Sequence, residues 1–306
     1  FFKGGITNKI FCAWWTDAPR QRVVFRLFGQ KTELLIDRAN ELKHWKLLAS
    51  HGCAAPLFGT FGNGIICGYQ AGKEIDTRLV RTPQIYNLIA AEMAKMHKIS
   101  GVEGDGAFER PFRPILGERI RSYVQSLPDQ FQDQKLNFLF KSGFPSREEL
   151  RREAASVERR LAELGGPVVF CHNDLLVGNV LYDAQMDSVH FIDYEYAALN
   201  YQCFDIGDHF TEFAGVERPD FSLYPGKELQ YAWLKAYLKA YSDVAEPTEQ
   251  QLADLYLAVN CGAAAAHFTW ALWSVIQACH SGIDFDFLGY GIARMKEYFK
   301  LKQQFF

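Results

Sequence analysis

The apolar positions of this chain change period along its length, and each change marks an element. Residues 23–28 (V-V-F-R-L-F) form an apolar, partly β-branched run with one cation inside it, which predicts a strand carrying Arg26 on one face. Leu34, Leu42, Trp45 and Leu48 then recur at spacings that can share a helical face, with Glu41 beside them. Residues 57–61 and 65–69 flank Gly62, Asn63 and Gly64, and an Asn-Gly pair favours a tight turn, so a hairpin is expected. Residues 4–70 therefore read as β-rich with a single helix, and Gln70, Ala71 and Gly72 as a hinge. Beyond it, Thr82 as cap and Pro83 at the first helical position open a helix with Ile85, Leu88, Ile89, Met93 and Met96 on one face. Residues 101–144 are less regular. Ser146 with Glu149 predicts a capping box for a charged helix that stops at Gly165, Gly166 and Pro167, just before an apolar strand at 168–170. Residues 180–182 and 189–192 make a second hairpin around a turn-prone 183–187. Residues 255–279 are apolar enough to resemble a membrane span, but Asn260, His267 and Gln277 interrupt them and no basic flank anchors them. A buried core helix is the expectation.

The residues around the second hairpin supply the chemistry. His172-Asn173-Asp174 is followed, five positions after the aspartate, by Asn179, and the hairpin returns the chain to Ile192-Asp193. Phosphoryl transfer uses an Asp on a loop to accept the acceptor hydroxyl's proton and an Asn a few positions on to hold magnesium. A later Asp at a strand end bridges metal and ATP phosphates. Asp174, Asn179 and Asp193 have that order and spacing, and the hairpin turns sequence spacing into spatial clustering. The first half of the pattern alone would fit ordinary turn and capping residues equally well. In the small lobe, Gly4 and Gly5 with the polar residues Thr7 and Asn8 precede an apolar run, where backbone N–H groups can approach phosphates closely. Arg26 sits where a basic side chain would reach those phosphates, and Glu41 could pair with it and orient it. An exposed strand arginine and a surface helix glutamate are the ordinary alternatives.

Composition narrows the class. A length of 306 residues suits two lobes, each with a sizeable core. A net charge of −3 with 23% charged residues leaves no basic surplus for nucleic acid, and no Lys/Arg-rich run marks an anionic membrane surface. Seven cysteines without C-x-x-C spacing fit buried free thiols in a reducing compartment, so a soluble cytoplasmic protein is expected. The chain begins Phe1-Phe2-Lys3, without Met or a leader pattern, and reads as a fragment. No G-x-x-x-x-G-K-[ST], complete G-x-G-x-x-G or H-E-x-x-H occurs, which sets aside P-loop, Rossmann and zinc-protease readings. Asn173 stands where a protein kinase has Arg, and no A-P-E segment follows Asp193. With only ten residues between Tyr194 and Asp205, the acceptor should be a small molecule.

Over most of its length the sequence is similar to the choline/ethanolamine kinase family. The similarity is carried by G-I-T-N-K at 5–9, K-T-E-L-L-I-D-R at 31–38, C-H-N-D-L-L at 171–176 and F-I-D-Y-E-Y-A-x-x-N-Y-x-x-F-D-I-G at 191–207. H-F-x-E-F-A-G-V at 209–216 and I-D-F-D-F-L-G-Y at 283–290 extend it. The resemblance implies an α+β, bilobal protein-kinase-like fold, with a β-rich N-lobe at 1–70 covering ATP and a mainly helical C-lobe at 71–306 holding the catalytic and amine sites. It implies magnesium- and ATP-dependent phosphorylation of an amino alcohol, the entry step of the phosphatidylethanolamine pathway. Ethanolamine is placed ahead of choline by the likeness at Leu175-Leu176 and 213–215. Nucleic acid and stable membrane insertion are not expected of such a protein, and a homodimer is compatible with it.

By motif, Asp174 resembles the general base, and Asn179 and Asp193 resemble magnesium ligands. Thr7, Asn8 and Arg26 resemble ATP contacts, with Gln70 at the hinge completing the set. Asp205 resembles the family's buried Asp that braces the catalytic loop, although an ordinary helix cap would also account for it. Glu212, Trp270, Trp273 and Tyr290 match the amine pocket, where a carboxylate and aromatic faces would hold a cation, each cation–π contact adding roughly 0.5 to 2 kcal/mol. Trp270 and Trp273 lie three apart and share a helical face, but in a chain that is 15% aromatic such a pair is ordinarily core. A buried Glu212 would need a cation partner, from substrate or from a salt bridge. Asp208 departs from the family, which usually has Asn there, and would add negative charge near the metals or the ammonium if it faced the cleft. Three alternatives stand beside this reading: choline kinase, a kinase-fold scaffold without turnover, and an antibiotic-modifying phosphotransferase.

Overall fold

The computed structural model describes residues 8–28, 38–99 and 113–306. In the first part, β1 (Asn8–Trp15) and β2 (Ala18–Phe28) form an antiparallel hairpin, and α1 (Arg38–Ser50) follows. β3 (Leu57–Phe61) and β4 (Gly64–Gly68) complete a four-stranded sheet in the order β1-β2-β4-β3. The predicted 23–28 strand is the second half of β2, and Arg26 lies between Ile10 of β1 and Ile65 of β4. Glu41, Trp45 and Leu48 are the buried positions of α1, a spacing that turns one helical face to the sheet. Trp45 packs with Ile65 and Cys67, and Val24, Leu42 and Leu57 close around them. Leu34 and most of the 31–38 motif lie outside the described residues.

After Gln70-Ala71-Gly72 the chain forms β5 (Lys73–Glu74), which pairs antiparallel with Leu181 and Tyr182. Gly72 holds φ +127°, a conformation an L side chain rarely adopts, and a Cβ there would lie 3.1 Å from the backbone of Tyr182. α2 (Pro83–His97) buries Ile85, Ile89, Met93 and Met96, with Leu88 half-buried. Thr82 stands at its cap position but does not cap it: the hydroxyl donates instead to Leu79 O, the carbonyl of the short turn just before. The less regular expectation for 101–144 is corrected among the described residues, which contain α3 (Leu116–Ser126) and α4 (Gln134–Gly143). α3 buries Leu116, Ile120, Tyr123 and Val124, and Asp133 caps α4 by accepting from the Lys135 and Leu136 N–H groups.

α5 (Arg147–Leu164) has the expected Ser146/Glu149 capping box and ends at left-handed Gly165. β6 (Val168–Cys171) leads into the 172–179 loop, and β7 (Val180–Asp183) with β8 (Ser188–Phe191) forms the predicted hairpin. β9 (Ala198–Tyr201) returns to pair with β6 and runs into α6 (Gln202–Thr211). α7 (Lys227–Ser242), α8 (Glu249–His280) and α9 (Phe287–Phe305) complete a mainly helical part. The apolar stretch at 255–279 is a core helix: 89% of the most apolar window of α8 is buried inside the protein. All seven cysteines are unbridged, and Cys279 is the exposed one.

α6 crosses α8 so closely that glycines are needed at the crossing. A Cβ on Gly262 would lie 2.0 Å from Cys203 O, and one on Gly207 would lie 2.3 Å from Ala263 N. Backbone cannot yield as a side-chain tip can, so Gly262→Ala is expected to cost about 3 kcal/mol of stability, well above the roughly 1 kcal/mol that Ala gains over Gly in a helix. The urea midpoint should fall accordingly. An unchanged midpoint would mean that α6 and α8 can part without loss.

Candidate active site

β6 delivers the chain into a loop at 172–179 that is anchored from several sides. Asn173 takes a left-handed φ of +65°, sparsely populated for a side chain other than glycine. Its own amide holds it there: Nδ2 donates to Tyr196 O at 3.0 Å and Ala198 O at 3.3 Å, while Oδ1 accepts from Asn200 Nδ2 at 2.7 Å. Asp205, fully buried in the first turn of α6, accepts from the backbone N–H of His172 at 2.9 Å and of Asn173 at 2.6 Å, and bonds His97 Nε2 at 2.9 Å. The carboxylate thus braces the loop and does not cap its own helix, whose N-cap position is Tyr201. Burial raises its pKa, but the His97 bond, the charges of His97 and His172 and the Asn173 N–H outweigh this and hold it below the usual carboxylate value.

The residues expected on the metal side meet as the hairpin predicts. Asn179 Nδ2 donates to Asp174 O at 2.9 Å, which leaves the amide oxygen for the cavity that Asn179 lines. Ile192 N–H donates to Asn179 O at 3.0 Å and His172 Nε2 to Ile192 O at 2.9 Å, drawing the end of β8 against the loop. Asp193 then turns out with φ +68°, a second non-glycine residue in the left-handed region. Such backbone strain persists only where surrounding structure over-determines it, and it clusters at functional sites. An amide oxygen and a carboxylate side by side are hard oxygen donors, the set that fits magnesium. Asp174 is half-buried, and its carboxyl is held well above the usual range by burial, then by Asp208, Asp193, Glu212 and Glu195.

Arg26 is buried, at 4% exposure, so the exposed-arginine alternative is set aside. Its Nη2 donates to Asp193 Oδ1 at 2.5 Å and Glu195 Oε2 at 2.9 Å, and its Nη1 lies 3.2 Å from Glu41 Oε1. The expected Arg26–Glu41 pair is present, and Arg38 joins it through a 2.6 Å bond to Glu41 Oε2. Burial alone would lower the Arg26 pKa, but Asp193, Glu195 and Glu41 together raise it, so the guanidinium remains a cation. Ile10, Val24, Cys67, Leu181 and Ile192 line, with Arg26, Asp193 and Glu195, a cavity of about 660 Å³. Its apolar walls can take a flat heterocycle, and Gln70 lines the same cavity. Thr7 lies outside the described residues, and so does the side chain of Asn8 at the start of β1.

The cavity continues to Glu212, Trp270, Trp273 and Tyr290, so all four expected amine-pocket residues line it. The two indoles meet edge to face, centroids 5.5 Å apart at 83°, and Tyr196 meets Trp270 the same way at 5.4 Å. Trp273 Nε1 donates to Tyr196 OH at 3.0 Å and Trp270 Nε1 to Asp208 Oδ1 at 2.7 Å. At 7% and 9% exposure the indoles are core and pocket wall at once. Phe285 and Phe287 add aromatic lining that the sequence reading did not single out.

Arg294 is the residue that sequence reasoning missed at this end. It lies one turn beyond Tyr290 on α9 and is 1% exposed. Its Nη2 donates to Glu212 Oε1 and to Tyr290 OH at 2.5 Å, its Nε to the same hydroxyl at 2.9 Å, and its Nη1 to Thr211 Oγ1 at 2.9 Å. The counter-cation that a buried Glu212 requires is therefore part of the protein. The local signal was the Tyr290, Arg294 spacing on one helical face, but the glutamate it serves is 82 positions away. Asp208 is fully buried beside Glu212; burial and Glu212 push its carboxyl well above the usual range, against the Trp270 bond and Arg294.

A sequence profile of the family described as Choline/ethanolamine kinase matches residues 1–299. The mouse protein named Ethanolamine kinase 1 is 42% identical over 307 residues, covering 99% of this chain and 83% of the relative. Human Ethanolamine kinase 2 is 43% identical over 303 residues, covering 99% of this chain and 75% of that one. Among solved structures, a Plasmodium vivax ethanolamine kinase superposes with a TM-score of 0.84 at 27% identity, over 96% of this chain and 80% of the other.

Proposed function

Because the chain belongs to the choline/ethanolamine kinase family, we propose that it transfers the terminal phosphoryl group of ATP to ethanolamine, at the entry to phosphatidylethanolamine synthesis. The observation that carries this reading is one continuous cavity, lined by Arg26, Asn179 and Asp193 at one end and by Glu212, Trp270, Trp273 and Tyr290 at the other, with Asp174 on its wall. Nucleotide and a cationic alcohol can thus be held in a shared space around one carboxylate.

In this reading Asp174 orients the acceptor hydroxyl and takes its proton, and transfer is direct, without a phosphoenzyme. Arg26, oriented by Glu41, places fixed positive charge at the ATP phosphates, with Thr7 and Asn8 as further nucleotide contacts and Gln70 at the hinge. Asn179 through its amide oxygen and Asp193 through its carboxylate would hold magnesium, which when bound offsets charge on the phosphates. The ammonium lies among the aromatic faces at Glu212. Glu212 Oε2 is a buried carboxylate oxygen with no hydrogen-bond partner among the described residues. A primary ammonium has N–H groups to give it and a quaternary one has none, which favours ethanolamine over choline.

The test is ADP release with magnesium ATP and either ethanolamine or choline, with Asp174→Ala as background. Asp174-dependent turnover that prefers ethanolamine is expected. A choline preference would keep the phosphotransfer chemistry and overturn the pocket assignment, while folded, nucleotide-binding protein silent with both would overturn the amino-alcohol reading.

A further inference from the structure

Asp208 and Glu212 stand one helical turn apart, and both reach the group formed by Trp270, Tyr290 and Arg294. Glu212 is matched by the Arg294 guanidinium. Asp208 has no such match: its Oδ1 takes the Trp270 N–H, and its Oδ2, fully buried, has no hydrogen-bond partner among the described residues. One guanidinium beside two carboxyl groups can match only one of them as a carboxylate. A second carboxylate charge, fully buried beside Trp270, is costly unless a cation comes near it. Trp270, which Asp208 holds, lines the proposed amine end of the cavity, where a cation would come.

We propose that Asp208 is a specificity-determining positioning residue: it fixes Trp270 in the pocket wall and supplies the carboxylate charge, beyond that matched by Arg294, which selects a cationic amino alcohol over a neutral alcohol of the same shape. This rests on the amino-alcohol reading above. Burial and Glu212 favour the protonated carboxyl of Asp208, and an ammonium beside Trp270 counters both by Coulomb attraction, so the charge is expressed as the amine binds. An Asn at this position would keep an acceptor for the indole N–H and lose only the charge, which separates the two functions of the side chain.

The experiment compares wild type with Asp208→Asn, reading the KM for ethanolamine and the competitive Ki of propan-1-ol, an uncharged alcohol shaped like ethanolamine. In Asp208→Asn the KM should rise about tenfold, the effect of about 1.4 kcal/mol, while kcat, the KM for ATP and the Ki of the neutral alcohol stay within about twofold. Asp208→Leu also takes the acceptor from Trp270, and there both constants should rise. If Asp208→Asn does not fold, Asp208→Ser reads the same ratio of KM to Ki. A KM and Ki that move together, or a KM that does not move, would overturn the charge role of Asp208. Wild type inactive with both ethanolamine and choline would instead remove the amino-alcohol reading, so the two failures are distinct.

Discussion

Asp174→Asn is expected to lower kcat by about 10²- to 10⁴-fold, the usual contribution of a positioned general base, with nucleotide affinity little changed and the fold no weaker. The stability half of this expectation follows from the site's own charges. Asp174 shares its surroundings with Asp208, Asp193, Glu212 and Glu195, and burial together with these groups raises its carboxyl well above 3.8. The native state therefore holds this proton more tightly than the unfolded chain. Unfolding free energy falls as pH rises from 3.8 toward the raised native value, because there the native state binds more protons than the unfolded one. Asparagine carries no charge and removes that loss. In urea unfolding with chelator present, the variant should gain on wild type as pH rises above 3.8. A correctly folded Asp174→Asn protein with near-normal turnover would take Asp174 out of its assigned role.

The opposite pattern is expected at Asp205, whose carboxylate binds the two residues just before Asp174. Asp205→Ala removes the acceptor of two buried backbone N–H groups, those of His172 and Asn173, and of the His97 imidazole. Donors left unmade inside the protein cost about 1 to 3 kcal/mol each, and loss of one member of a buried charged network commonly costs about 3 to 5 kcal/mol. We expect about 4 kcal/mol off the unfolding free energy on that basis, and turnover lost as well, since the residue that carries Asp174 into the cavity is released. Asp205→Asn should recover little, because half of its amide would present N–H to N–H. A variant that unfolds with wild-type midpoint would show that the 172–179 loop is held by its other bonds alone.

How far the sequence could be read depends on the range of each interaction. The loop and hairpin from His172 to Asp193 are local in the chain, so spacing was enough to bring Asp174, Asn179 and Asp193 together. The Arg26–Glu41 pair was also accessible, because a strand cation and an acidic helix position are legible one element apart. α3 was missed although Leu116, Ile120 and Tyr123 have helical spacing, since Gly117 and the charges at Glu118, Arg119 and Arg121 dilute it. Thr82 looks like a cap in sequence, and only the neighbouring Leu79 carbonyl diverts its hydroxyl. Arg294 was not legible for a different reason. Its value lies in neutralising a glutamate on another helix, and no local period records a partner so far along the chain. The Glu212 carboxylate itself was identified, and so was its need for a cation, but not where that cation would come from.

That same Arg294 sits on α9, which follows every other described element in the order of synthesis. α9 covers α8 through contacts such as Phe268 with Tyr298 at 4.8 Å and Cys261 Sγ with Phe305 O at 3.3 Å. On the ribosome, the long apolar α8 emerges before the helix that shields it, and it passes through a stage at which it can be taken for a membrane segment or caught by a chaperone. The 172–179 loop and its Asp205 brace are complete in the chain well before then, while the proposed amine pocket waits for α9 to supply Tyr290 and Arg294. A chain stopped before α9 would therefore carry the braced loop while Glu212 lacked its Arg294 counter-cation.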